Sequence, residues 1–105
     1  MSRSQRVSQL LLELEQTMRK GGLWQSVAPS QEKLASRQPF AIDTLTPEEW
    51  LHWVFIVRMR EMINTQQPLP VGFEISPYFE QAWQTGEHQA LLALISDIDK
   101  AFSAC

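Results

Sequence analysis

The chain has 105 residues, 44% apolar and 20% charged, which suits one globular domain with a buried core of its own. Nine basic and twelve acidic side chains leave a net charge of −3, a balance that argues against a dedicated nucleic-acid binder, whose basic excess is normally marked. The single cysteine is Cys105, so no internal disulfide is expected, and the chain reads as one suited to a reducing, cytoplasmic setting.

The first predicted helix covers residues 4–19. Val7, Leu10, Leu11, Leu14 and Met18 follow the i, i+3, i+4, i+7 spacing of a one-sided apolar stripe. Arg19 and Lys20 suit the negative end of the helix dipole, and Gly21-Gly22 stops the helix. Leu10-Leu11-Leu12 is too short for the apolar core of a secretory signal, and Glu13 follows at once. Glu13 and Glu15 also argue against an organelle transit peptide. A long connection follows, over residues 23–45. It is expected to hold one helical turn near residues 30–35, entered through Pro29. Trp24, Val27, Leu34, Phe40 and Ile42 allow it to pack down.

The second predicted helix, residues 47–64, has the clearest start signal. Thr46 suits the N-cap and Pro47 the first helical position. Glu49 lies where it can reach back to complete a capping box, and Leu45 and Trp50 occupy the positions of a hydrophobic staple. Wound at 100° per residue, the helix is apolar on nearly every side, which predicts a central, largely enclosed element. Its uninterrupted apolar run, Trp53 to Val57, falls far short of the ~20 residues a bilayer needs. Residues 65–76 follow. Pro68 and Pro70 exclude helix here, and Leu69, Val71, Phe73 and Ile75 alternate with other residues. This predicts an extended strap lying across the domain, with its odd-numbered side chains inward. Ser76-Pro77 opens a third, short helix ending near Gly86, with Ser76 as cap and Phe79, Ala82 and Trp83 inward. The fourth helix, residues 87–103, has the stripe Leu91, Leu94, Ile95, Ile98, Ala101 and Phe102, with Asp97, Asp99 and Lys100 outward. The predicted architecture is an all-α single domain over residues 1–105, a four-helix bundle around a central apolar helix with extended connecting segments.

Few residues are placed for chemistry. Glu49 and His52 form Glu-x-x-His, the helical pair of di-iron bundles, but such a site needs a second pair, and Thr85 stands where His88 would need a Glu. Glu49 is already accounted for as a cap. No metal, cofactor or catalytic residue is expected, and the chain reads as no enzyme. Arg58 stands out as one charge among Leu51, Val54 and Met62. On an enclosed helix its guanidinium needs partners, and Asp43 is a candidate. The simpler reading of Arg58 is a structural ion pair, or a packed stem whose head reaches water. Trp24, Trp50, Trp53 and Trp83 read most simply as core, whereas one or two of them along a groove would mark a binding surface.

Pro39-Phe40, Asp43-Thr44-Leu45, Glu49-Trp50-Leu51, Trp53-Val54-Phe55-Ile56, Arg58-Met59, Pro68-Leu69-Pro70 and Ile75-Ser76-Pro77-Tyr78 resemble the bacterial YqcC-like family, and the likeness extends over nearly the whole chain. The resemblance implies a small, four-helix, cytoplasmic fold of uncharacterised function. It also implies a link to tRNA modification, because genes of this family often lie beside that of a tRNA pseudouridine synthase. No catalytic residues are assigned in the family, so none carries over. Members tend to have Pro where this chain has Val57, and Val57 predicts a helix that runs straight through Arg58.

The functional expectation is a protein-binding adaptor, with that synthase as candidate partner and no direct contact with nucleic acid or membrane. The candidate binding residues are Asp43, Trp50, Trp53, Arg58 and Tyr78, with residues 36–46 and 65–76 as the contact regions. One rival reading is a small-molecule-binding domain or enzyme with a groove near Arg58. Another is RNA binding through the first forty residues, where six basic groups face three acidic ones.

Overall fold

The first helix, α1 (Arg3–Lys20), buries the stripe its spacing predicts: Val7, Leu10, Leu11, Leu14 and Met18. It ends in a Schellman turn. Gly22 takes the left-handed conformation (φ 73°), its N–H donates to the Arg19 carbonyl (3.2 Å), and Leu23 N–H donates to the Met18 carbonyl (2.8 Å). The computed structural model describes residues 3–69, 74–84, 86 and 88–102. All regular structure among them is helical.

In the connection, α2 (Gln31–Leu34) forms the expected turn, with the Ser30 hydroxyl accepting from Lys33 N–H. A 3-10 turn over Pro39–Ala41 was not legible beforehand. It places Phe40 (φ 57°) and Ala41 (φ 48°) in the left-handed region. A side chain with a Cβ enters that region at a cost, so the turn has to be held by its surroundings.

The central rod comprises α3 (Pro47–Trp50), a π-helical segment (Leu51–Ile56) and α4 (Val57–Asn64). The capping box is present in both directions: Thr46 Oγ1 accepts from Glu49 N–H (3.3 Å), and Glu49 Oε1 accepts from Thr46 N–H (2.9 Å). The rod is continuous, but it is not the uniform α-helix that Val57 predicted. The inward face nevertheless keeps ordinary helical spacing, at i, i+1, i+4, i+5 and i+8 from Leu51. Leu51, His52, Phe55, Ile56 and Met59 are buried, whereas Val57 is 47% exposed and Arg58 is also exposed. The rod is therefore enclosed on one side only. It is central in sequence, but its outer face meets solvent.

The rod ends in a second Schellman turn, with Gln66 in the left-handed conformation (φ 59°) and Gln67 N–H donating to the Met62 carbonyl (2.9 Å). A side chain bears this conformation at a cost that glycine avoids. Gln66→Gly is expected to raise the unfolding free energy by about 0.7 kcal/mol in urea melts followed by tryptophan fluorescence; a loss of stability would show that Gln66 makes a compensating contact. In the strap, Leu69 is half-buried against the core and Ile75 is buried, as the alternation requires; Val71 and Phe73 lie outside the described residues.

The last two helices, α5 (Ser76–Ala82) and α6 (Gln89–Phe102), are shorter than expected at their facing ends. α5 is also capped differently. Ser76 is its first helical residue rather than its cap, and the Ser76 hydroxyl is buried without a partner among the described residues. The cap comes from α6. Asp99 Oδ1 accepts from Ile75 N–H (2.9 Å) and Oδ2 from Ser76 N–H (2.8 Å). Asp99 was expected to face outward, yet it is 9% exposed. Its charge sits where the exposed amides of α5 give a positive dipole end.

α6 packs along α1, α5 packs on α6, and α4 touches α1. Phe79, Phe102, Leu11, Leu14, Leu51, Ile95 and Ile98 are fully enclosed between them. Arg3 closes the far end of α6. Its Nε donates to the Ala101 carbonyl (3.0 Å), and its guanidinium lies 5.5 Å from the Phe102 ring centroid.

Candidate functional site

The outward side of the rod carries an apolar groove of about 510 Å³, lined by Pro39, Phe40, Trp50, Val54, Phe55, Arg58, Met59, Met62, Glu74 and Ile75. Three elements converge on it. The rod supplies one wall, the 3-10 turn brings Phe40, and the chain entering α5 brings Glu74 and Ile75. Among the described residues, two polar side chains, Arg58 and Glu74, lie with eight apolar ones in this lining.

Phe40 is the hinge of this arrangement. Its ring stacks on Tyr78 (centroids 4.2 Å apart, planes 11°), tilts against Trp50 (4.7 Å) and meets the edge of Phe79 (6.4 Å). Trp50 in turn contacts Phe55 and Phe79, and Phe79 contacts Trp83. Aromatic pairs of this kind contribute about 0.5–1.5 kcal/mol each beyond burial, enough together to hold Phe40 in its left-handed turn. Burial raises the Tyr78 hydroxyl above its usual pKa, and the nearby Glu48 carboxylate adds to the shift, so Tyr78 stays protonated.

The structure brings Trp50, Arg58 and Tyr78 to this groove, Tyr78 through its stack on Phe40. Arg58 differs most from expectation: it is exposed and makes no ion pair among the described residues. Asp43 is not its partner. Asp43 instead accepts a hydrogen bond from Ser36 Oγ and ties the connection to itself, away from the groove lining. Trp53 borders a smaller adjoining hollow with Leu34, Val54, Val57, Arg58 and Glu61. Trp83 is buried as expected, whereas Trp24, Trp50 and Trp53 are half-buried and so are not simple core. Glu74 falls inside the contact region 65–76 read from the sequence but was not singled out, and neither was Met62 as a groove residue, since neither belongs to a motif.

Next to Trp53 lies a stack that no motif announced. His52 lies between Trp24 (centroids 3.7 Å) and Trp53 (4.0 Å), with Arg19 over the outer face of Trp24 (4.9 Å). Trp53 Nε1–H donates to Gln25 Oε1 (3.2 Å). His52 is 5% exposed, and its Nδ1 has no partner among the described residues. Burial lowers its pKa below 6.5, an effect opposed by Glu15 and aided by Arg19 and Arg60. Glu15 binds Arg60 (2.7 Å) and Arg19 (2.9 Å), joining α4 to α1. The Arg60 hydrogen bond is the main reason its carboxyl titrates below 4.5, against an opposing burial effect.

These shifts fix the sign of the acid response. His52 charges more readily unfolded than folded, so stability is full above pH 6.5 and falls as pH drops through its lower folded value. Glu15 loses its proton more readily folded than unfolded, so its contribution is full above 4.5 and is lost as pH falls through its folded value. His52→Phe is expected to keep the stack and to shrink the difference in urea midpoint between pH 7.5 and pH 5.5. An unchanged difference would place the sensitivity elsewhere.

A wider hollow of about 800 Å³ lies over the solvent face of α1, lined by Gln5, Ser8, Gln9, Leu12, Glu13, Gln16 and Arg60. It lacks the aromatic anchors of the first. No helix among the described residues is long and apolar enough to cross a membrane, and no group of three or more metal-ligating side chains occurs among them.

The class is thus a small all-helical domain with an aromatic and methionine-lined groove on the open side of its middle helix. The DUF446 family model, described as tRNA pseudouridine synthase C, matches residues 6–101, and the chain belongs to this YqcC-like family. It is 37% identical over 105 residues to the uncharacterized protein YqcC of Escherichia coli, covering 98% of this chain and 96% of that one. It is 45% identical over 85 residues to an uncharacterized protein of Haemophilus influenzae, covering 80% of each. The solution NMR structure of E. coli YqcC superposes with a TM-score of 0.85 at 36% identity, covering 97% of this chain and 89% of that one. A Pectobacterium carotovorum protein named tRNA pseudouridine synthase C is 37% identical over 84 residues. That match takes in 80% of this chain but 22% of the longer protein.

Proposed function

We propose that this chain is a non-enzymatic, cytoplasmic accessory domain, a four-helix scaffold that binds a tRNA pseudouridine synthase. The observation that carries this reading is the Pectobacterium match. There, a segment like this domain makes up 22% of a chain that bears the synthase name. Two units joined in one chain in one organism are held at high effective concentration, a geometry that separate chains recover by binding. The groove supports the reading as well. Its lining is aromatic and methionine-rich, the composition of adaptable protein-binding surfaces. Arg58 and Glu74 suit the positioning of a partner more than the movement of protons.

The rival small-molecule reading draws on the same groove, whose volume suits a ligand and whose edge holds Arg58. The RNA reading is weakened by the engagement of Arg3 on α6 and of Arg19 on Glu15 and Trp24. The test is to mix the purified chain with the tRNA pseudouridine synthase of the same genome and follow both by size-exclusion chromatography and tRNA pseudouridylation. A co-eluting complex with altered turnover or tRNA preference is expected. No complex at micromolar concentrations, and no effect on the enzyme, overturns the reading.

A further inference from the structure

The charge around the groove is one-sided. Glu74 lines it, and Glu61 lines the adjoining hollow beside Arg58. Neither carboxylate is in an ion pair among the described residues. Among the described residues Arg58 is the single cation lining either hollow. The imbalance extends beyond the rim: residues 41–105 carry nine acidic groups against three basic ones. One of those three, Arg60, is taken by Glu15.

We infer that the groove receives a protein segment with an aliphatic or aromatic anchor flanked by lysine or arginine, the anchor seating among Phe40, Trp50, Val54 and Met62 and the cations meeting Glu61 and Glu74. The choice of partner rests on the accessory-domain reading, because an enzyme that acts on tRNA has to present cationic surface to phosphates. The chemistry of the groove stands without it. An apolar lining rewards an anchor, and unpaired carboxylates at the rim reward nearby cations and repel an acidic competitor. Arg58 sets the register, since it donates to the segment's carbonyls and repels a lysine placed directly opposite. A second copy seated groove to groove is the poorer occupant, because it would bring the same rim carboxylates together. Nucleic acid is excluded from this face by the same charge.

The experiment is an NMR titration of the ¹⁵N-labelled chain with a short amphipathic Leu/Lys peptide, its Leu/Glu counterpart, and the synthase. The Leu/Lys peptide is expected to shift the amides of Val54, Arg58, Met62 and Glu74. Its affinity should fall about tenfold or more in the double variant Glu61→Lys, Glu74→Lys, while Glu13→Lys on α1 changes it little. Equal binding of the Leu/Glu peptide, shifts on α1 instead, indifference to the double variant, no binding at all, or concentration-dependent groove shifts without peptide would each overturn the inference. The synthase arm separates the two ideas. If the synthase binds through α1, the accessory reading survives and this site fails. If the peptide seats in the groove but the synthase never binds, the site survives and the accessory reading fails.

Discussion

Replacing Asp99 with alanine is expected to lower the unfolding free energy by about 3 kcal/mol, because two backbone N–H groups, on Ile75 and Ser76, lose a charged acceptor together. Water cannot easily replace it, since Asp99 is 9% exposed. Asp99→Asn should cost about half as much, as the amide oxygen still accepts from one N–H while its NH2 group opposes the other. The adjacent serine provides the contrast. The Ser76 hydroxyl is buried without a partner among the described residues, so Ser76→Ala should be neutral or slightly stabilising. Urea unfolding at pH 7 measures all three. An Asp99→Ala variant within about 1 kcal/mol of the parent would show that the cap matters little to the fold.

The other large effect is expected at Phe79. Its side chain is fully enclosed, and its ring touches Phe40, Trp50, Tyr78 and Trp83. Phe79→Ala should cost about 4 kcal/mol, from lost transfer free energy and the cavity left behind. A domain of this size has about 5–15 kcal/mol in total, so the variant should be marginal and its midpoint sharply lowered. The damage should also reach the groove, because Phe40 would lose part of what holds it left-handed. Phe79→Leu, at about 1–1.5 kcal/mol, leaves enough stability to test this: its fold should persist while the resonances of Phe40 and Tyr78 broaden or move. Unchanged resonances would show that the turn is held by its own backbone and the Trp50 contact.

Much of this was readable in the residues. The α1 stripe needed only helical spacing, because all five apolar positions share one face. The rod's start needed only Thr46, Pro47 and Glu49, since a capping box is satisfied within four residues of chain. Of the named candidates, Trp50 and Arg58 line the groove, and Tyr78 stacks on its Phe40 wall. Three things were not readable. The rod is apolar on nearly every side, and no local pattern says that the side of Trp50, Val54, Val57 and Arg58 stays open. Asp99 reads outward for its charge although an even wheel puts it at the edge of the stripe, about 40° from Ile95, and only the approach of α5 gives a carboxylate there a reason to be buried. Phe40 in a left-handed turn runs against backbone preference, and the rings that hold it come from residues 50, 78 and 79.

The sequence alone therefore determined the helical class, the helix starts that are capped locally and most of the buried stripe, because those depend on contacts a few residues apart. Tertiary structure decided which side of the rod stays open, what caps α5 and how the groove is lined. Each of these is a balance between groups far apart in the chain, such as Asp99 with Ile75 and Phe40 with Tyr78, and no local preference encodes it.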